Sequence, residues 1–352
     1  MVFESERYRG REYAAPMVRA SSLPFREECL RYGASFVFTE ELIDKKVISS
    51  YESVQPDGTV AFRVQKDDGR TVHFRSDRKE QTILQIGTAD GVLASKSASK
   101  LVPYVSEVNI NMGCPKPFSV SGGMGAALLA KPELACEIVK TLRSTLPETI
   151  PVTCKIRYIG NPSEPEKMMK QTSEFMCGLI RSGASAITVH MRTVPMRPRE
   201  PAIWTSFTDL LKVMPSEFTH IPIIANGDFF NRKQIDTFKS HVASSLDGSD
   251  RAWCDSVMIA RGAMWNPSIF DKNKQHEPEQ VLSSFVDTCI LYNEPPSSVK
   301  WMLGQMMDGY TDVGGKPIKA LREKVHQCKT VDEMLEVVVS QTSDSSKRIR
   351  LV

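Results

Sequence analysis

The chain has 352 residues, 41% hydrophobic, 25% charged and 8% aromatic, and 45 Lys and Arg against 42 Asp and Glu leave a formal charge of +3. That describes an ordinary globular protein with room for one large domain and a smaller one. It excludes a chain that advertises a polyanion partner by overall charge, and no stretch nears the roughly 20 apolar residues of a bilayer-crossing helix.

The N-terminus, MVFESERYRGREY, mixes Glu4, Glu6 and Glu12 with its arginines and suits neither a secretory signal nor a transit peptide. An intracellular setting is the expectation, cytoplasmic or nuclear, with the mitochondrion also compatible. Eight cysteines include no C-x-x-C pair and no His at ligand spacing, so no metal and no disulfide framework is expected.

From residue 13 onward, short apolar runs bounded by Gly, Pro or polar residues recur as strand candidates. In chain order they are Tyr13–Val18, Phe36–Leu42, Thr82–Gly87, Glu107–Gly113, Val152–Arg157, Ala186–Arg192, Pro222–Asp228 and Ser256–Ala263. Segments of helical period alternate with them: Leu23–Tyr32, Gly91–Val102, Lys131–Leu146, Glu166–Arg181 and Lys233–Val242. Alternation implies right-handed parallel units, and eight of them fit a (β/α)8 TIM barrel of the α/β class. The competing open doubly wound sheet would place a glycine-rich loop after its first strand. Here that strand runs into APMVRASSLP without glycine, and glycines follow the last two strands instead, as Gly227 and Gly262, where barrels build phosphate sites.

Two regions break the repeat. Residues 57–79 alternate Val, Phe and Val around Asp68-Gly69 and read as an inserted β-hairpin. After Phe270 the spacing becomes helical without strands, and Pro295-Pro296 and Gly314-Gly315-Lys316-Pro317 divide it into three or four helices. The expected organisation is a barrel over 1–270, a helical domain over 271–345 and a frayed tail over 346–352.

In a barrel the C-terminal strand ends converge on one mouth. Here they carry Arg19, Glu41, Gln85, Asn111 with Cys114, Lys155 with Arg157, His190 with Arg192, Asn226 with Asp228, and Arg261. Backbone amides of NGD and ARGA with Arg261 suit a terminal phosphate. Gln85, Lys155 and His190 can pair with the edges of a planar heterocycle. Phosphate plus flat ring describes FMN, and also pyridoxal phosphate held through a lysine Schiff base. In NMGCPK, Gly113 and Pro115 shape a turn from which the Cys114 thiol projects, and a thiol of ordinary pKa, about 8.5, can act as a general acid.

Taken together, APMVRASSLPFR, TEELID, LQIGTAD, VNINMGCPKPFSVSGGMGAALL, VTCKIR, TVHMRTVPMRPREP, IIANGD and VMIARGAMWNPSIF resemble the tRNA-dihydrouridine synthase family, most nearly its eukaryotic branch acting on D-loop uridine 20. The resemblance implies an FMN barrel with a helical domain that uses NADPH to reduce the C5–C6 bond of uridine in tRNA. It implies flavin contacts at Met17, Val18, Arg19, Glu41, Gln85, Lys155 and His190, with the phosphate on Asn226, Gly227, Asp228, Ala260 and Arg261. Cys114 becomes the proton donor, and Asn111 and Arg157 face the uracil. The chain looks like the shorter fungal-type form, without an appended double-stranded-RNA-binding domain, and a monomer is expected. Met191 stands where many relatives carry a small residue.

The phosphates of tRNA require local basic groups. Arg192, Arg197 and Arg199 follow the sixth strand, and Lys316, Lys319, Arg322, Lys324 and Lys329 cluster in the helical part. Two rival readings are an FMN barrel acting on a free pyrimidine or similar small molecule, and a non-catalytic RNA-binding factor. The basic clusters oppose the first, and the Cys114, Lys155 and His190 set opposes the second.

Overall fold

In the computed structural model, which describes residues 5–64, 72–76, 79–246, 254–312, 318–342 and 349–351, eight parallel strands close on themselves. In chain order the strands are β1 (Glu12–Ala14), β2 (Phe36–Ile43), β3 (Tyr51–Val54), β4 (Val60–Arg63), β5 (Val72–Ser76), β6 (Thr82–Gly87), β7 (Glu107–Met112), β8 (Val152–Tyr158), β9 (Ile187–Thr193), β10 (Ile223–Asn226) and β11 (Val257–Ile259). The barrel runs β1-β11-β10-β9-β8-β7-β6-β2, and β1 pairs with both β11 and β2, so no edge is left open.

The outward positions of these strands are Val, Ile and Leu because helices cover them. The helix Pro132–Thr145 turns Ala135, Ile138, Val139 and Leu142 inward, a spacing of three and four that makes one apolar stripe. Met191 is one of the outward residues, fully buried in the layer between strand and helix, so its bulk stays clear of the barrel interior. Inside the barrel a separate cluster of Tyr8, Tyr13, Phe36, Phe38, Ile83, Ile224 and Met258 fills one end.

Three expected strands are shorter than their apolar runs. β1 stops at Ala14, and Met17 to Ser21 fold into a turn in which Met17 accepts two backbone N–H groups. β10 stops at Asn226 because Gly227 and Asp228 take positive φ angles of 143° and 55°. β11 stops at Ile259 because a short helix, Arg261–Trp265, starts there.

The expected hairpin is a three-stranded antiparallel sheet, β3-β4-β5. The added strand arises from the Pro56-Asp57-Gly58 turn: Gly58 has φ 81° and Gln55 donates its N–H to the Thr59 carbonyl. The Asp68-Gly69 turn lies outside the described residues.

Among the described residues four helices follow the barrel: Pro278–Leu291, Pro296–Met307, Lys319–Gln327 and Val331–Thr342. The first two open on proline, whose missing N–H costs nothing in a first turn. Two short strands correct the expectation of helices alone: β12 (Tyr310–Asp312) pairs antiparallel with β13 (Ile349–Leu351). Part of the segment read as a frayed tail is therefore a strand; three residues of β-rich sequence sufficed once a partner edge stood nearby.

This helical part is fastened to the barrel through buried polar groups. Glu28, on the helix Leu23–Arg31, accepts hydrogen bonds from Thr288 and Ser284 at 2.5 and 2.9 Å. Arg75 of β5 donates to the Tyr292 carbonyl at 2.5 Å and pairs with Asp57. Arg19, just beyond β1, lies over the Trp301 ring at 4.5 Å. The helix Pro296–Met307 thus reaches the mouth at Trp301, and Pro278–Leu291 packs along the helix Leu23–Arg31.

Candidate active site

Side chains alternate along a strand, so every second residue points into the barrel. Along β7 that series is Glu107, Asn109, Asn111; along β8 Thr153, Lys155, Arg157; along β9 Thr188, His190, Arg192. The register makes these series into layers, with Glu41 beside Gln85, Gln85 beside Asn109, Asn111 beside Lys155, and Arg157 and Asn226 beside His190. Most of the strand-end residues singled out in the sequence therefore stand together at one end.

Gln85 is held from below. Its amide donates to Asn109 Oδ1 at 2.9 Å, Asn109 donates to Thr153 Oγ1 at 2.9 Å, and Thr153 donates to Glu107 Oε1 at 2.7 Å. Tyr8 donates to the other Glu107 oxygen at 3.0 Å. This buried ladder fixes which way the Gln85 amide faces, and sequence reading missed it because Glu107, Asn109 and Thr153 lie at strand starts and middles.

Cys114 sits in a braced turn. Asn111 Oδ1 accepts the N–H groups of Gly113 and Cys114 at 3.0 and 3.1 Å, and Arg157 Nε donates to the Gly113 carbonyl at 2.8 Å. Asn111, buried, staples the thiol's own loop, and Arg157 is tied to that loop and to the Thr193 carbonyl while lining the mouth cavity. The short helix Pro117–Val120 brings up Ser119, whose hydroxyl donates to Glu41 Oε1 at 3.1 Å. Burial pushes the Cys114 thiol up, and the Glu41 carboxylate beside it pushes the same way. Ser119 was not found in the sequence, where PKPFS gave no sign that its fifth residue returns to Glu41.

Crowding of cations in a dry space governs the opposite wall. Burial, then Arg157, brings the Lys155 ammonium down to about 7. Burial, then Lys155 and Arg157, holds His190 well below its usual value, so it is neutral. Arginine only donates, and Arg192 Nη1 lies 3.2 Å from His190 Nε2, so Nε2 accepts and the ring proton sits on Nδ1. Burial, then Arg192, brings Arg157 down to about 10.

Asp228 is a hub. Its carboxylate accepts from Arg192 at 2.5 Å, the Ala202 N–H at 2.7 Å and Arg261 at 2.7 Å. A carboxylate so placed aims Arg261 and cannot itself face a phosphate, which leaves the backbone of the Asn226–Asp228 turn for that task. Arg192 is 3% exposed and also donates to the carbonyls of Glu200 and Pro198. It therefore holds the loop after β9 from beneath while lining the mouth cavity. Arg197 and Arg199 stand exposed on that loop. Close backbone approach is enforced nearby: a Cβ on Gly262 would meet the Phe229 carbonyl at 2.1 Å, and one on Gly227 would meet Ala202 at 2.9 Å.

Other assignments move as well. Arg19 has φ 70°, stabilised by its N–H donating to Glu40 at 2.7 Å, and its guanidinium goes to Trp301, so only its backbone faces the mouth with Met17 and Val18. Arg322 pairs with Asp308 at 2.5 Å and donates to the Gly304 carbonyl at 2.9 Å. Lys319 is exposed, and Lys316 lies outside the described residues.

A cavity of about 340 Å³ opens at this mouth, lined by Lys116, Arg157, His190, Asn226, Ala260 and Arg261 among others. A larger one, about 1090 Å³, lies on the outer wall between the helices Pro165–Arg181 and Thr205–Val213 and touches none of the strand ends. Among the described residues no cluster of three or more His, Cys, Asp or Glu could hold a metal, and no helix is long and apolar enough to cross a membrane. All eight cysteines are free thiols.

A family model described as Dihydrouridine synthase (Dus) matches residues 13–338. Similar proteins include the tRNA-dihydrouridine(20) synthase of Saccharomyces cerevisiae, 29% identical over 96% of this chain and 86% of that one. The tRNA-dihydrouridine(20) synthase of Schizosaccharomyces pombe is 31% identical over 86% of this chain and 60% of that one. The tRNA-dihydrouridine(20a/20b) synthase of the same yeast is 32% identical over 73% and 67%. The matched span takes in all eight barrel strands save one residue of the first, every strand-end residue of the mouth and the helices beside it, and the chain belongs to the dihydrouridine synthase family.

Proposed function

We propose that this enzyme reduces the C5–C6 bond of the uridine at position 20 in the D-loop of tRNA, with FMN as its resident cofactor and NADPH as reductant. The observation that carries the reading is a braced, protonated thiol, Cys114, beside a mouth where a buried oxygen of Glu41 lacks a partner. The names of the two yeast relatives support position 20.

FMN fits the residues present. Glu41 Oε2 is buried without a hydrogen-bond partner, so a donor is wanted there. Lys155, brought down to about 7, regains its charge when an electron-rich group approaches. Gly227 and Gly262 clear the backbone of the phosphate end. The phosphate would lie on Arg261, Ala260 and the backbone of Asn226, Gly227 and Asp228. The ring would lie on Met17, Val18 and the Arg19 backbone, with Glu41, Gln85, Lys155 and His190 at its edges. When bound, FMN supplies the hydride that reaches C6 of the uracil, having received it from NADPH.

The chain's own residues do the rest. Cys114 gives its proton to C5, and burial keeps that proton on sulfur until needed. Asn111 and Arg157 hold the thiol's loop in place. The target base leaves its stack to reach the pocket, at a cost of a few kcal/mol recovered through phosphate contacts. Arg197 and Arg199 at the rim and Lys319 on the helical part are placed to make them.

The test compares tRNA with free uridine. Purified protein should be yellow or become so with FMN, and with NADPH should form dihydrouridine in unmodified tRNA. Reduction of free uridine at comparable efficiency would overturn the tRNA assignment in favour of a small-molecule reductase. A colourless protein that cannot take up FMN would overturn both.

A further inference from the structure

We infer that Ser119 and Glu41 form the path by which Cys114 regains its proton after each turnover, an inference that rests on Cys114 being the proton donor. Ser119 is fully buried, and its hydroxyl donates to Glu41 Oε1 at 3.1 Å. Both groups act on the Cys114 thiol, Glu41 raising it and Ser119 lowering it. Gly125 makes the arrangement possible: at φ 58°, a Cβ there would come 2.4 Å from Ser119 Oγ, 2.6 Å from the Cys114 carbonyl and 3.1 Å from Cys114 Cβ. The Ser119 hydroxyl and the Cys114 residue are thus packed against a position that only glycine can occupy, with Glu41 on the far side of Ser119 Oγ.

A hydroxyl donates and accepts at once, which is what a relay requires. Once Cys114 has protonated C5 it is a thiolate. Water at the mouth protonates the Glu41 carboxylate, which hands that proton to Ser119 Oγ as Ser119 passes its own to sulfur, leaving Glu41 ionised again. Only O–H and S–H bonds change, and no electrons are transferred. The direction is set by basicity, since burial pushes both groups up and the thiol starts far above the carboxyl. The other charged groups facing this pair, Lys116, Lys155 and Arg157, are cations that stabilise the thiolate only in passing.

Two readouts test the relay. In the FMN-free protein, the pH dependence of iodoacetamide alkylation at Cys114 reports the thiol directly. Ser119→Ala should move the midpoint to higher pH, because a donor to the thiolate is lost. Glu41→Gln should move it to lower pH, because a neighbouring negative charge is lost. With FMN, NADPH and unmodified tRNA, Ser119→Ala should give a burst of one product per enzyme and then turn over about tenfold slower or worse, and Ser119→Thr should restore the steady rate. Midpoints that stay put or move together, or Ser119→Ala turning over at the native rate without a burst, would overturn the relay. Failure of the underlying reading looks different: Cys114→Ala would then reduce tRNA as the native protein does.

Discussion

Carboxylates are buried at both ends of the barrel, Glu107 within it and Glu12 on its outer face against the helix Arg232–Ser245, and the two ends treat them in opposite ways. At the floor, Glu107 accepts from Tyr8 and Thr153 and pairs with Arg7, and Glu12 accepts from Arg232 and Lys239 at 2.7 Å each. At the mouth, Glu41 has Ser119 on one oxygen and no partner on the other. Beside it Lys155 is held near neutrality and His190 is uncharged, although both are long-established carriers of charge elsewhere in proteins. The floor carboxylates are satisfied within the chain, whereas Glu41 at the mouth keeps one oxygen free. An orphaned acceptor in a dry site costs on the order of 1–3 kcal/mol, which a donor from a bound ligand would recover.

The widest separation between the two ends should come from the thiol. Cys114→Ala should cut tRNA reduction by about a thousandfold, within the usual range for a lost general acid, while flavin reduction by NADPH stays near normal. Equal loss in both half-reactions would contradict the role of Cys114.

The floor should instead be read in stability. Glu12→Gln removes the partner of Arg232 and Lys239 and should cost about 2 kcal/mol, seen as a lower Tm. Burial raises the Glu12 carboxyl, but its hydrogen bond from Arg232 and the charge of Lys239 more than offset this and hold it below the ordinary value. A depressed carboxyl stabilises the fold above its unfolded pKa, near 4.5, and loses that contribution as pH falls through the lower folded value. The gap between native and variant should therefore close on acidification below about pH 4; a gap that persists there would deny the ion pairs their role.

The mouth should show its own pH signature. If Lys155 regains its proton when FMN binds, affinity of the FMN-free protein should fall by up to about tenfold per pH unit above 7, and Lys155→Met should abolish the slope. A native affinity flat from pH 7 to 9 would remove Lys155 from the cofactor site. Smallest of all, neutralising Arg197, Arg199 or Lys319 singly should reduce the salt slope of tRNA binding by about one each, while the committed Arg322 should change it little. A larger loss at Arg322 would reverse that ranking.

Strand ends were legible because their polarity breaks an apolar run, as at Lys155 in VTCKIR and His190 in ITVHMR. What each end does was less so. Arg192 and Asn111 look like ligands in the sequence, but their partners are the Asp228 carboxylate and the Gly113 and Cys114 amides, brought near only by closure of the barrel. The buried ladder under Gln85 joins residues 8, 107, 109 and 153, contacts of long sequence separation that no local pattern encodes. Periodicity likewise found the helical part and missed β12 and β13, since three residues carry no period. Ser119 and Gly125 sit in a stretch rich in Ser and Gly, where composition reads simply as loop.

Whether this mouth reduces a uridine of folded tRNA is decided by mapping dihydrouridine after incubation with unmodified tRNA and NADPH. Modification should appear at position 20, dependent on NADPH and absent with Cys114→Ala. Dihydrouridine at other positions only, or none with a fully flavin-loaded enzyme, would contradict it.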